Sequence, residues 1–361
     1  MLQRRRSAPG FTLVEMLVVI AIIGILAAIL VPTVFSALQR AKVARITLEE
    51  SNIDAALESY KQKYNDYPPD FSDRSIVLRH LQKAFPRMAQ QEYAVITSCF
   101  WLYPNARPGA IGYDLSYVDR AEALVLWLGG LSDDPRRPFT GLGGPLVLIP
   151  DASGTAGNNV MVNRERAEGF FSFDEGRLGL GLYTFPPANP RWVYSSDEAL
   201  LHGGTGNSWY DFSLDTQRLL LVNDPFPVYS PEGQNEPYAY FDSRTYNKLI
   251  QVSDNVYMPN QYTMSAFTAT KGTALPYKSD QNNPNFLTTD WHPGRAFYFA
   301  NRDTFQIISA GLDTIYGGVP ALVGNQWTWT ARQFPNGTGY HPGDRDNITN
   351  FSDGALSDRL P

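Results

Sequence analysis

The sequence predicts an α+β fold: one very long N-terminal helix, joined to an antiparallel β-sheet head that carries a large insertion. Three observations lead there. Residues 16–39 form a run of 24 uncharged residues, and about 20 apolar residues suffice for a helix to cross a bilayer. Behind that run, Ile46, Ile53, Leu57, Tyr60 and Tyr64 recur at helical spacing, with Glu49, Glu50, Asp54, Glu58 and Lys61 assigned to the other faces. Far downstream, Phe297-Tyr298-Phe299 and Phe305-Gln306-Ile307-Ile308 are apolar enough for central antiparallel strands.

Each element follows from local chemistry. The helix is expected to run from Phe11 to about Tyr64, roughly 80 Å at 1.5 Å per residue. Asn65-Asp66-Tyr67-Pro68-Pro69 should end it, because proline cannot continue the hydrogen-bond ladder. Pro32, inside the apolar part, removes one intrahelical bond and is expected to kink or loosen the turn before it, and Gly24 allows close packing. The docking half of the helix, with one apolar face, needs a sheet to cover it. Residues 65–235 read as an elaborated insertion in the head and 236–361 as core sheet plus a C-terminal loop region. Within the insertion, helices are expected over Asp73–Phe85 and Ser116–Leu128. The second has a Ser116-x-x-Asp119 cap and Gly129 as its stop. Strands are expected at Pro237–Phe241, Arg295–Ala300 and Thr304–Ser309.

Composition narrows the function. Charged residues make up 18% of the 361, and the net charge is −6, which gives no electrostatic reason to bind a phosphate backbone. No nucleic-acid partner is expected. Cys99 is the single cysteine, so no intrachain disulfide forms; it reads as a small buried hydrophobe. His80, His202, His292 and His341 show no metal-ligand spacing, and neither a G-x-S-x-G elbow nor a Walker A sequence is present. Asp174-Glu175 are adjacent acids that point to different faces, as in a solvated loop rather than a glycosidase pair. Tyr238, Tyr240, Trp291, Trp327 and Trp329 suit core packing better than a sugar platform. The chain is not expected to be an enzyme.

The flanks of the apolar run decide the rest. Arg4-Arg5-Arg6 precede it, and the positive-inside bias keeps that end cytoplasmic and the remainder outside. A secretory signal peptide would have a shorter apolar core followed by a small-residue cleavage site. Here the charged cluster is followed by Gly10-Phe11-Thr12-Leu13-Val14-Glu15, which resembles the leader of type IV pilins and type II secretion pseudopilins. The resemblance implies a pilin-like lollipop fold and a leader over residues 1–10. It also implies a helix over 11–64 with its membrane part at about 11–39, cleavage after Gly10 by a prepilin peptidase, and N-methylation of Phe11. Glu15 would pair with the Phe11 amine of a neighbouring subunit; read from the residues alone, it could also be a glutamate at a helix start, favoured by the helix dipole. A carboxylate in a membrane helix costs about 2.5–3.5 kcal/mol on insertion scales, so it needs a partner.

The implied partners are other pilin or pseudopilin subunits, an inner-membrane assembly platform and membrane lipid. The implied location is the bacterial inner membrane, single-pass, with the head periplasmic or extracellular, and then a filament. The function implied is a structural subunit of a type II secretion-like pseudopilus or a type IV pilus. The alternative is a membrane-anchored surface binding protein, a glycan adhesin or DNA-uptake minor pilin. Near the C-terminus, Ile308-Ser309-Ala310-Gly311-Leu312-Asp313 and Asp344-Arg345-Asp346-Asn347-Ile348-Thr349 resemble the two ends of the calcium loop of major pseudopilins. By that resemblance Ca²⁺ would be held by Asp313, Asp344 or Asp346, Thr349 and the carbonyls of Ala310 and Ile348. The family loop is more compact than the separation here.

Overall fold

The computed structural model describes residues 12–100, 118–150, 156–163, 165–184, 191–195, 197, 226–253, 256–264, 271–284, 296–323 and 326–360. The chain divides into two compact units, Met1–Arg45 and Ile46–Pro361.

Helix α1 runs from Leu13 to Tyr64, 52 residues without a break. In its first part every described side chain from 12 to 42 is exposed, and an 18-residue window reaches a mean hydropathy of 3.0. Such a surface is stable only where something other than water covers it. Pro32 lies within the helix without ending it. Next to it the Thr33 hydroxyl donates to the carbonyls of Ile29 and Leu30, at 3.2 and 2.8 Å, adding a side-chain donor in the turn before the proline.

In the second unit the rest of α1 buries Ile46, Glu50, Ile53, Ala56, Leu57 and Tyr60. Four of the five apolar residues expected on this face are fully buried, and Tyr64 is half-buried. Glu50, expected on another face, is buried with them. The helix stops at Asn65, which takes a left-handed conformation (φ 57°) and donates its N–H to the Lys61 carbonyl at 2.7 Å. The stop is therefore an asparagine C-cap, with the prolines expected to end it further on.

Helix α2 (Arg74–Ala84) lies within the expected Asp73–Phe85, and Asp73 caps it: its carboxylate accepts from the N–H groups of Ser75 and Ile76. Helix α3 (Gln90–Phe100) was not legible; its Glu92 is buried and accepts from the backbone of Phe139 and Thr140, both at 2.8 Å. Cys99 falls on α3, with its side chain outside the described residues. Helix α4 (Glu122–Leu128) ends at Gly129 as expected, but starts six residues later than predicted. In the turn before it, Asp119 accepts from the Ala121 N–H at 2.7 Å and Glu122 accepts from the Asp119 N–H at 2.6 Å; Ser116 lies outside the described residues. All seven side chains of α4 are buried, and half-buried Arg166 caps its C-terminal end by donating to the carbonyls of Val125, Leu126 and Gly130.

The described strands form six small sheets. Strands β1 (Leu146–Pro150) and β2 (Ala156–Val162) pair antiparallel. Strand β3 (Leu178–Thr184) lies between β4 (Arg191–Ser195) and β5 (Val228–Tyr229), antiparallel to both. Strand β6 (Ala239–Asp242) is followed by the pair β7 (Leu249–Ser253) and β8 (Val256–Pro259). Strand β9 (Lys278–Asn282) sits between β10 (Phe297–Phe299) and β14 (Gln333–Phe334). The central sheet has β11 (Phe305–Ser309) between β6 and β15 (Ile348–Thr349), all antiparallel. A further pair joins β12 (Ala321–Val323) to β13 (Gln326–Thr328). Of the expected central strands, Phe305–Ser309 is central, with all five residues buried. Phe297–Phe299 is instead an edge of another sheet with half-buried side chains, because its partner is β9 rather than β11.

The core is rich in tyrosine. Tyr238, Tyr240, Tyr262, Tyr277 and Tyr316 are all fully buried, and a buried hydroxyl needs a partner. Tyr240 donates to the Pro68 carbonyl at 2.7 Å, Tyr277 to Asp344 at 2.8 Å, Tyr262 to Asp197 at 2.8 Å, and Tyr316 to the Pro237 carbonyl. Tyr238 and Tyr240 thus serve packing; Trp291 lies outside the described residues, as does the side chain of Trp327, and Trp329 is half-buried.

Candidate functional site

At the start of α1, Thr12 and Glu15 cap one another. The Glu15 carboxylate accepts from the Thr12 N–H and from its hydroxyl, both at 2.8 Å, and the Glu15 N–H donates back to the Thr12 hydroxyl oxygen at 3.2 Å. This is a capping box, the reciprocal satisfaction of two donors at a helix start. Its signature, T-x-x-E, stands in the sequence at 12–15. Gly10 and Phe11, and Arg4 to Arg6, lie outside the described residues.

In the second unit, α1 is held by polar clasps. Glu49 accepts from both guanidinium nitrogens of Arg177, each at 2.6 Å, from Tyr229 at 2.9 Å and from Tyr238 at 2.7 Å. Burial pushes the Glu49 carboxyl up, but Arg177 and the two tyrosines more than offset this and hold it below its usual range. His80, fully buried, sits between the Tyr60 hydroxyl (2.8 Å) and Asp66 (3.3 Å), and Asp66 also pairs with Arg244 at 2.8 Å. Tyr60 and His80 are both closed to solvent, so this Asp–His–Tyr chain is a clasp rather than a reaction centre. His341 caps a short 3₁₀ turn; His202 and His292 lie outside the described residues. Asp174 and Glu175 are exposed, and Asp174 caps a turn through the Gly176 N–H.

The two C-terminal segments expected near one another do meet. Ile308 and Ser309 of β11 pair with Thr349 and Ile348 of β15, so the turn after β11 lies beside Asp346. Gly311 is left-handed (φ +65°), and a Cβ there would sit 2.1 Å from the Asp346 carbonyl oxygen, so only glycine fits. The Asp313 N–H donates to Asp346 Oδ2 at 2.7 Å, and Asp313 Oδ1 accepts from the Ile315 N–H at 2.8 Å. Asp346 Oδ1 is buried with no hydrogen-bond partner. Partial burial and the Asp346 carboxylate together push Asp313 up to about 7. Asp344 is turned elsewhere: it pairs with buried Arg332 at 2.8 Å and accepts from the Tyr277 hydroxyl and the His341 N–H. The Thr349 hydroxyl bonds with that of Ser352 at 3.0 Å; Ala310 and Ile348 are buried.

A third cluster was not anticipated. Carboxylate oxygens of Asp119, Glu122 and Asp197 lie within 4.8 Å of one another, a set of donors that could hold a metal ion. Burial, then the Asp119 carboxylate, raises Asp197 to about 7. The 77 residues of chain between Asp119 and Asp197 hid this grouping from sequence reasoning.

These features define an α+β protein whose long apolar helix fits a membrane anchor. Residues 5–31 match the family described as the prokaryotic N-terminal methylation motif. The chain is 46% identical over 65 residues to the type II secretion system core protein G of Pseudomonas aeruginosa, covering 18% of this chain and 46% of that protein. It is 44% identical over 62 residues to the type IV wide pilus major component PilA4 of Thermus thermophilus (17% and 47%), and 44% identical over 50 residues to the type IV major fimbrial protein FimA of Dichelobacter nodosus (14% and 32%). The chain thus spans about half the length, or less, of these curated relatives. No solved structure matches significantly. The motif and these relatives support the type IV pilin and pseudopilin family for this chain.

Proposed function

We propose that the chain is a structural subunit of a type II secretion-like pseudopilus or type IV pilus. A prepilin peptidase cuts after Gly10, and Phe11 becomes the N-methylated first residue. The helix then holds the subunit in the inner membrane, N-terminus cytoplasmic, until an assembly platform adds it to other pilin or pseudopilin subunits. The observation that carries this reading is the coincidence of the methylation motif at 5–31 with a helix whose first 26 residues, Leu13 to Leu38, are all exposed. An unbroken apolar helix of that kind is suited first to lipid and then to the packed interior of a filament. Glu15 pairs with the Phe11 amine of a neighbour, an interaction made strong by the low dielectric around it. N-terminal mass spectrometry of the protein purified from membranes tests the reading. The expected result is an N-methylphenylalanine start at Phe11, and an intact Met1 overturns it.

The Asp313 turn fits a calcium ion. An orphan buried oxygen, Asp346 Oδ1, and a second carboxylate raised by burial and by Asp346 are what a hard cation would relieve. Asp313 and Asp346 would hold the ion, with the Ala310 and Ile348 carbonyls and Thr349 as nearby oxygen donors. Asp344, already committed to Arg332, would instead brace the loop. When bound, calcium would supply a clasp between the turn and β15 in a chain with no disulfide.

A further inference from the structure

We propose that Gln234, in the loop that leads from β5 to β6, gives its side-chain carbonyl oxygen Oε1 to the calcium ion of the Asp313 turn. The inference rests on the calcium reading given above and adds a donor from a part of the chain that no sequence motif connects with that turn.

The placement starts with local chemistry. Pro231-Glu232-Gly233-Gln234 forms a tight turn, closed by the Gln234 N–H donating to the Pro231 carbonyl at 3.1 Å. Gly233, third in the turn, is left-handed (φ +76°), the conformation that a type II turn demands there and that glycine takes without strain. Beyond the turn, the Tyr238 N–H donates to the Tyr229 carbonyl at 3.0 Å, which closes the loop between β5 and β6. Gln234 then reaches the Asp313 turn: its Nε2 donates to the Gly311 carbonyl at 2.7 Å. Two residues on, buried Glu236 pairs with Lys271, and the Lys271 ammonium also donates to the Thr314 hydroxyl at 2.8 Å. The loop before β6 therefore holds the Asp313 turn directly at Gly311 and through Lys271 at Thr314, with the Lys271 charge neutralised by Glu236.

The amide hydrogen bond fixes what the rest of the group can do. With Nε2 committed to Gly311, Oε1 is an acceptor held in a set direction, and it is buried with no hydrogen-bond partner among the described residues. A buried acceptor left unmet costs about 1–3 kcal/mol, so a group fixed in this state needs a ligand. Beside the same glycine stands a second such oxygen, Asp346 Oδ1: a Cβ on Gly311 would sit 2.8 Å from the Asp346 carboxyl carbon. The Asp313 N–H is bonded to the other oxygen of that carboxylate. Several acceptors gathered at one turn are satisfied together by a hard cation, and calcium takes about six to eight oxygens. Asp313, Asp346, Thr349 and the carbonyls of Ala310 and Ile348, giving one oxygen each, fall short of that number. A neutral carboxamide adds to it without adding to the repulsion between the Asp313 and Asp346 carboxylates. Its orientation is also set before any ion arrives, which lowers the cost of binding.

Calorimetric titration of Ca²⁺ into the full chain, purified in detergent and freed of metal, tests this on wild type, Gln234→Met and Gln234→Glu. Methionine keeps the length of the side chain and removes oxygen and amide alike; glutamate keeps an oxygen and removes the amide donor. Gln234→Met should bind Ca²⁺ at least roughly tenfold more weakly than wild type, and Gln234→Glu should bind more tightly than Gln234→Met. Both variants lose the hold on Gly311. Binding by Gln234→Glu no tighter than by Gln234→Met would therefore make Gln234 a brace for the turn and overturn its role as ligand. Tb³⁺ in place of Ca²⁺ gives a second reading, since its luminescence lifetimes in H₂O and D₂O count the waters bound to the ion. Gln234→Met should admit about one more water than wild type, filling the coordination position that was lost, and an unchanged count overturns the proposal. Wild-type affinity in Gln234→Met removes Gln234 alone and leaves the calcium reading standing. Failure of wild type itself to bind Ca²⁺ overturns both.

Discussion

Arg177 grips Glu49 with both guanidinium nitrogens, each 2.6 Å from a carboxylate oxygen, across 128 residues of chain. The pair joins the docking half of α1 to the turn that opens β3, and Tyr229 and Tyr238 complete it from the sheet side. The guanidinium also lies over the Tyr229 ring, 4.4 Å from its centroid. A bidentate, largely desolvated pair of this kind is worth more than a surface salt bridge because geometry is fixed and water is mostly displaced.

Arg177→Ala should therefore lower the stability of the second unit by about 2 kcal/mol. Because Glu49 lies below its usual range when folded, its contribution is present above its unfolded value of about 4.5 and is lost as pH falls through the folded one. Urea unfolding at pH 7 and pH 4, with a double-mutant cycle against Glu49→Gln, measures both effects. Simple additivity of the two substitutions would show that the pair is not coupled.

Glu50, the next residue, has the opposite problem. It is 1% exposed, and neither carboxylate oxygen has a hydrogen-bond partner. Burial, then the Asp54 carboxylate one turn on, pushes its pKa well up. Tyr238, from the sheet side, and Glu49, beside it on the helix, are the other titratable groups at this point, and Arg177 is bound to Glu49. An unfolded chain releases this proton near 4.5, whereas the folded one retains it. Stability therefore declines from about pH 4.5 upwards, by at most about 1.4 kcal/mol per pH unit, until the folded group ionises. Glu50→Gln should raise the melting temperature at pH 8 by more than at pH 5. An equal shift at the two pH values would show that Glu50 ionises freely in the folded protein.

The contrast between these neighbours marks how far sequence reasoning reaches. The apolar spacing from Ile46 to Tyr60 located the buried face of α1, because a helical period needs only side chains a turn apart. It assigned Glu50 to the wrong face, since a period of 3.6 residues places position 50 between Ile46 and Ile53 and charge alone argued it outwards. Gly129 was legible as a helix stop because its partner lies within a few residues. The partners of Glu49, Glu92 and Asp344 were not, because Arg177, Phe139 and Arg332 are distant in sequence or carry no distinguishing motif. At the candidate sites, T-x-x-E at Thr12–Glu15 held a capping box in plain view. The meeting of the Asp313 turn with Asp346 was anticipated only through family resemblance, and it depends on the pairing of β11 with β15.

Asp344 and Asp346, two residues apart, should respond differently to substitution. Asp344→Asn leaves Arg332 buried without its counter-charge and should cost about 3–5 kcal/mol whether or not calcium is present. Asp346→Asn should have little effect in chelator. It should abolish the calcium-dependent rise in melting temperature that wild type shows, about 2.7 kcal/mol of stabilisation at a hundredfold excess over Kd. Differential scanning calorimetry of the full chain in calcium and in chelator separates the two. A wild-type melting temperature indifferent to calcium would remove the cation and leave the loop held by packing and Arg332.

Glu15 carries two roles that one further substitution can part. Within its own chain it completes the capping box with Thr12; in the proposed assembly its charge meets the Phe11 amine of a neighbour. Glutamine also serves in a capping box, so Glu15→Gln should keep the helix start intact while removing the charge. Glu15→Val removes both, and it should enter the membrane at least as readily because a buried carboxylate no longer opposes insertion. If the intersubunit pair governs assembly, both variants should insert and both should be under-represented in filaments when co-expressed with wild type. If the cap is what matters, Glu15→Gln should be incorporated like wild type and Glu15→Val alone should fail. Quantitative mass spectrometry of sheared filaments, normalised to the membrane pool of each variant, reads the ratio directly, and incorporation of Glu15→Gln at parity with wild type would end the charge-pairing account of this residue.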